Sequence, residues 1–212
     1  MIKWGKYLES LSIKYDVDIL YIVPYMEMRE AAQTAERLII MAPYMDTLRP
    51  GRGMGAILPE GIKAAGAKGV LLNHCERPMT LTDIKKTIDR ANELDLLSFV
   101  CADTVAEAKA VAALGPDIIC PEPTELVGSG VASDLSYVED TIREIKKINP
   151  AIIVEQSAGI TTGKQVYDFI MAGSQGAGAG SGIFGSKDPY ATADEMIAAV
   201  ARARGDLEKS RR

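Results

Sequence analysis

Short runs of β-branched and apolar residues recur along the chain, each followed by a glycine-rich or polar turn and then by a stretch with helical spacing. The runs at 18–23, 38–42, 69–72, 98–101, 117–120 and 151–154, with a glycine-diluted one at 176–180, predict seven strands. The intervening segments 26–36, 59–65, 81–94, 105–114, 136–148, 163–171 and 191–203 repeat their apolar residues at helical intervals and predict helices. Ile84, Ile88, Ala91 and Leu94 form one such stripe. Strands that are apolar throughout are buried on both faces, which implies a parallel sheet covered by helices: a doubly wound sheet or a (β/α)₈ barrel.

The opening segment is a helix in this reading. Trp4, Tyr7, Leu8, Leu11 and Tyr15 recur at helical spacing, so residues 2–14 are expected to pack on the strand at 18–23. A barrel closes with eight strands, and seven leave one edge unpaired. The expected organisation is one domain over residues 1–204, followed by a charged tail at 205–212 that is solvated and frays.

Composition narrows the function classes. With 212 residues, 47% hydrophobic and 25% charged, the chain is of ordinary globular type, which excludes disorder and coiled coil. No apolar run approaches the length that spans a bilayer and no charged-then-apolar leader opens the chain, so no membrane role is expected and a cytoplasmic protein is. A net charge of −5 without a basic stripe matches nucleic acid poorly. The three cysteines, Cys75, Cys101 and Cys120, contain no C-x-x-C pair, so neither a disulfide framework nor a zinc site is suggested. Reduced thiols, no metal and no cofactor are the expectation.

Candidate chemistry lies just beyond the strands, because parallel α/β architectures bind ligands at the carboxyl ends of their strands. The run 69–72 is followed by Asn73-His74-Cys75-Glu76-Arg77, which holds the only histidine. The run 117–120 is followed by Pro121-Glu122-Pro123-Thr124-Glu125-Leu126-Val127-Gly128-Ser129-Gly130, with a carboxylate between two prolines that fix its backbone. Ser157-Ala158-Gly159-Ile160-Thr161-Thr162 and Gly178-Ala179-Gly180-Ser181-Gly182 supply small residues whose N–H groups can approach an anion. The second of these fails the dinucleotide fingerprint, since Ile183 stands where its last glycine would be needed.

These four segments, with Lys187-Asp188-Pro189, resemble in order and spacing the triosephosphate isomerase family of the short archaeal type. The resemblance implies a TIM-type (β/α)₈ barrel lacking its first strand, and interconversion of glyceraldehyde 3-phosphate and dihydroxyacetone phosphate through an enediolate. It assigns Glu122 as base and His74 as neutral electrophile. Val127 and Gly128 match the tip of a closing loop, and Gly159, Gly180 and Ser181 match backbone donors to the substrate phosphate. A homo-oligomer, dimer or tetramer, is implied as well.

The chain departs from the family at several places. No Asn-x-Lys stands near its start, and Lys3 or Lys6 would fill that role only if the first residues were a strand, leaving too few residues for a crossover. Ala42-Pro43-Tyr44-Met45-Asp46 replaces a Gln-His segment, Gly51-Arg52-Gly53-Met54-Gly55 lacks a threonine, Cys75 replaces a serine and Gly185 a lysine. Three readings follow: an isomerase whose first strand is encoded upstream of Met1, an impaired paralogue that binds sugar phosphates as a regulatory module, and an isomerase of another phosphorylated sugar.

Overall fold

Each strand pairs in parallel with the next in chain order. The computed structural model describes residues 2–210. Its strands are β1 (Leu20–Ile22), β2 (Ile39–Ala42), β3 (Gly69–Leu72), β4 (Leu97–Ala102), β5 (Ile118–Pro121), β6 (Ile153–Gln156) and β7 (Gly176–Ala177). They form a curled, incompletely closed barrel, and among the described residues neither β1 nor β7 has a second neighbour. The helices are α1 (Ile2–Tyr15), α2 (Met28–Thr34), α3 (Pro59–Ala64), α4 (Leu81–Asn92), α5 (Val105–Ala112), α6 (Leu135–Ile148), α7 (Gly163–Met171), α8 (Ser181–Phe184) and α9 (Pro189–Ser210). None of them is long and apolar enough to cross a membrane.

Alternation along the strands sends their apolar side chains into two different clusters. Ile40, Ala42, Val70, Leu72, Val100, Ile119 and Val154 join the large cluster beneath the helices. Met41, Phe99, Cys101, Ile118 and Cys120 form a smaller cluster inside the curl, with Leu20, Ile39 and Leu71 against it. Burial on both faces explains why these strands are continuously apolar. Ile22 and Ile153 share the inner face by alternation, yet are 38% and 41% exposed, as an interior facing an unfilled place in the ring must be.

Helix α1 is seated on the sheet's first edge. Gly5 lies against Tyr21, where an added Cβ would stand 3.4 Å from the ring. The indole of Trp4 packs on Phe184 and Tyr190 at centroid distances of 5.2 and 5.0 Å, and the Tyr7 hydroxyl donates to the Tyr190 carbonyl. Residues 2–14 are therefore helical, and Lys3 and Lys6 stand on a helix, not at a strand end.

Two expectations need correction. The sixth strand begins at Ile153, not Ala151, because Pro150 and Ala151 form a turn in which Asn149 Oδ1 accepts the Ala151 N–H. The strand instead runs on through the polar pair Glu155 and Gln156, whose side chains interrupt the apolar run. The charged end continues α9 to Ser210, where a fraying tail is expected from charge alone; the polar residues occupy the helix's exposed positions, with Lys209 paired to Asp206 at 3.1 Å. Residues 211 and 212 lie outside the described residues.

The open edge makes a prediction about individual amides. The Ile19 carbonyl accepts from Ile39 and Val23 donates to Met41, so in a parallel ladder the N–H groups of Leu20 and Ile22 face the gap. In native-state hydrogen exchange Val23 should exchange far more slowly than Leu20 and Ile22. Equal protection of all three would show that another strand pairs there.

Candidate active site

The strand ends converge at one rim, because parallel pairing points every strand the same way. At β3 the backbone turns sharply: Asn73 adopts a left-handed conformation (φ 57°), which its short polar side chain stabilises from both sides. Asn73 Nδ2 donates to the Cys101 carbonyl at 3.0 Å and Oδ1 accepts the Met79 N–H at 2.8 Å. This fastens the β3 loop to β4 and presents His74. The backbone N–H of Glu76 donates to His74 Nδ1 at 3.3 Å, which assigns the ring proton to Nε2. That nitrogen lies 3.6 Å from Glu122 Oε2.

Glu122 follows β5, with its N–H donating to the Ala102 carbonyl at 2.8 Å. Its side chain is only 12% exposed. Burial raises its carboxyl above the ordinary glutamate range, opposed by the field of His74 and by hydrogen bonds from the Ala158 N–H and the Cys101 thiol. Ala158 is itself left-handed (φ 67°), and this unfavourable backbone turns its N–H toward the carboxylate. On the next strand Glu155 sits against Cys120 and Ser157; burial pushes its carboxyl up to about 7, against hydrogen bonds from those two groups. Ser157 Oγ donates to Oε1 at 2.9 Å.

The glycine segments also meet at this rim. A Cβ on Gly159 (φ 65°) would lie 1.8 Å from the Val131 carbonyl oxygen, so the loop after β5 rests directly on the loop after β6. A Cβ on Gly182 would lie 1.9 Å from the Ile160 carbonyl oxygen, which brings the start of α8 onto the same loop. Gly159, Gly180 and Ser181 thus belong to one joined set of backbone segments. Val127 and Gly128 stand apart: they follow a 3-10 turn at Thr124–Leu126, and a Cβ on Gly128 would meet nothing within 4 Å. Thr124 anchors that turn by donating its N–H to Asp103 at 2.6 Å.

Sequence reasoning misses Asn73, Cys101 and Ala158 as groups that shape the site. Alternation along β4 could have turned Cys101 inward, and Asn73 stands at a strand end. Nothing in the sequence marks Ala158, because alanine rarely adopts its conformation.

A curled sheet of parallel strands with helices outside, and a carboxylate and an imidazole facing each other at the strand ends, defines an open α/β barrel of the enzyme kind. A family model described as triosephosphate isomerase matches residues 3–196. The triosephosphate isomerase of Methanothermus fervidus is 35% identical over 199 residues, covering 92% of this chain and 89% of that protein. That of Sulfurisphaera tokodaii is 39% identical over 196 residues, covering 91% and 85% respectively. Among solved structures, triosephosphate isomerase from Bartonella henselae shares the fold, with a TM-score of 0.72 over 95% of this chain and 92% of that one at 15% identity. The chain belongs to the triosephosphate isomerase family.

The contact between Gly159 and Val131 gives a stability test. Gly159→Ala adds both a left-handed alanine and a steric overlap, whereas Gly115→Ala adds only the first, since Gly115 (φ 74°) has open space around it. Urea melts should show Gly159→Ala to be the more destabilising by about 1–3 kcal/mol. Equal losses would mean that the two loops do not touch in solution.

Proposed function

We propose that the chain interconverts glyceraldehyde 3-phosphate and dihydroxyacetone phosphate. The observation that carries this reading is the facing of His74 Nε2 and the Glu122 carboxylate across 3.6 Å, at the rim where the glycine segments meet. A buried carboxylate is a stronger base than one in water, and an imidazole with its proton on Nε2 is a directed hydrogen-bond donor. Glu122 takes the proton from the carbon beside the substrate carbonyl. His74 donates a hydrogen bond to the carbonyl oxygen as it gains negative charge, giving an enediolate. The hydroxyl proton passes to the former carbonyl oxygen through His74 Nε2, and Glu122 returns the carbon-bound proton to the neighbouring carbon. The backbone N–H groups around Gly159, Gly180 and Ser181 hold the phosphate, and the Val127–Gly128 tip closes over it.

The names of relatives support this substrate class, and nothing favours the binding-module reading. Self-association is part of the proposal: Met54 is fully exposed in the 51–55 loop, an apolar side chain that a second copy of the chain would cover.

A coupled assay of the purified chain tests the reading. Turnover is expected, and Glu122→Gln should lower kcat by about 10²–10⁴ with little change in KM, as loss of a general base does. A folded chain that binds a triose phosphate without converting it would refute the isomerase reading. Turnover unaffected by Glu122→Gln would remove Glu122 from the base role.

A further inference from the structure

Cys101 and Cys120 are far apart in sequence but are register partners on β4 and β5. Both project into the inner cluster, where they are 5% and 2% exposed. Two residues beyond Cys120, on the same face, the carboxylate of Glu122 completes a triad: the two Sγ atoms and a carboxylate oxygen all lie within 4.8 Å of one another. Ligands on a tetrahedral zinc ion stand roughly 3.5–3.8 Å apart, so a metal needs donor shifts of no more than about 1 Å.

We propose that Cys101, Cys120 and Glu122 form a binding site for a thiophilic divalent cation, Zn²⁺ or Cd²⁺, inside the barrel, and that its occupancy blocks the isomerase site. Two thiolates with one carboxylate are a donor set for Zn²⁺ and Cd²⁺, and a poor one for Mg²⁺ or Ca²⁺, which take oxygen ligands. The surroundings also favour a cation. The Glu122 charge disfavours that of Glu155, and among the described residues no lysine or arginine forms an ion pair with either. Two residues beyond the paired Ile118 and Ile153, Cys120 and Glu155 face the same side, so the Glu155 carboxylate stands beside the triad, able to orient that ligand.

On binding, the two S–H bonds break, both protons leave to the buffer, and two metal–sulfur bonds and one metal–oxygen bond form. The fourth tetrahedral position is left to water. A Glu122 oxygen committed to the metal is not available to take a substrate proton. This inhibitory consequence rests on the proposed role of Glu122; the metal binding itself does not.

The test uses the full chain, kept reduced with a phosphine. Zn²⁺ uptake is measured by elemental analysis after desalting, and Cd²⁺ binding by its ultraviolet thiolate charge-transfer band. One equivalent of either ion is expected, with no uptake of Mg²⁺. Cys101→Ser and Cys120→Ser should each weaken binding by at least about tenfold. The surface group His74, Cys75 and Glu76 is the competing location, with Cys75 Sγ 3.8 Å from His74 Nδ1. Cys75→Ala should keep the band if the inner site is the real one. No uptake, a band lost in Cys75→Ala, or a band kept in the Cys101→Ser/Cys120→Ser double variant would overturn the site. Should the serine variants not fold, X-ray absorption of the Zn²⁺-loaded wild-type chain decides: two sulfur ligands are expected, and one or none overturns it. Activity should fall with occupancy and return with a chelator. Binding through two sulfurs that leaves the turnover rate intact would overturn Glu122 as a ligand, and with it the three-residue site and the inhibition, if Glu122→Gln abolishes turnover, and would overturn the base role of Glu122 if it does not.

Discussion

The parallel hydrogen-bonded register of β3 through β6 is the constraint on which the site depends. Val70 stands beside Ser98, Cys101 beside Cys120 and Ile119 beside Val154. A slip of one residue in any of these pairs would exchange the inner and outer faces, since side chains alternate with period two. Cys101 would then turn toward the helices and Glu122 away from His74. The register is fixed by the two clusters it separates, because every strand from β2 to β5 has apolar residues for both faces and none of them is optional. Polar contacts at the rim refine this arrangement without creating it. The Asn73 bridge to the Cys101 carbonyl joins strands that are already neighbours.

The interior is the more unusual part. Two carboxylates and two thiols share it, and the partners within reach are hydrogen-bond donors in place of fixed cations: an imidazole, a backbone N–H, a hydroxyl and the thiols themselves. In a region of low dielectric such partners offset only part of the cost of ionisation, so both carboxyls are raised. The glycine just beyond β7 is connected with this. A Cβ at Gly178 would stand 2.4 Å from Glu155 Oε1, so a side chain there would take the space that the Glu155 carboxylate occupies. The glycine dilution of the last strand, which weakens it as a sequence signal, has a steric reason in its neighbour.

Much of this was legible in the sequence, and for physical reasons. All seven strands lie close to where the runs place them, β2 to β5 most plainly, because a strand buried on both faces is apolar nearly throughout. The helix at α1 was legible because Trp4, Leu8 and Leu11 keep their stripe, and all three are buried. His74 and Glu122 were legible as strand-end residues, since topology alone brings strand ends to one rim. The end of β6 was not, because Glu155 and Gln156 are polar residues inside a strand, partnered by Ser157 and Thr141. Nor was the meeting of Cys101 with Cys120, which depends on register and not on spacing along the chain. Metal signatures in sequence are signatures of local loops, and cross-strand ligand sets leave no such mark.

In the proposed reaction the backbone carries much of the electrostatic work. A phosphate and a developing oxyanion must be met by N–H groups whose positions do not relax, since dipoles stabilise charge well only when they are preorganised. The glycine contacts supply that rigidity. The Val131 carbonyl on Gly159 and the Ile160 carbonyl on Gly182 tie three loops into one body, at distances no other residue would permit. The left-handed turns at Asn73 and Ala158 hold the imidazole and the carboxylate to the same body, each at an energetic cost that the surrounding ladder offsets. The catalytic geometry proposed for this chain is thus held by contacts within a single rim of the sheet.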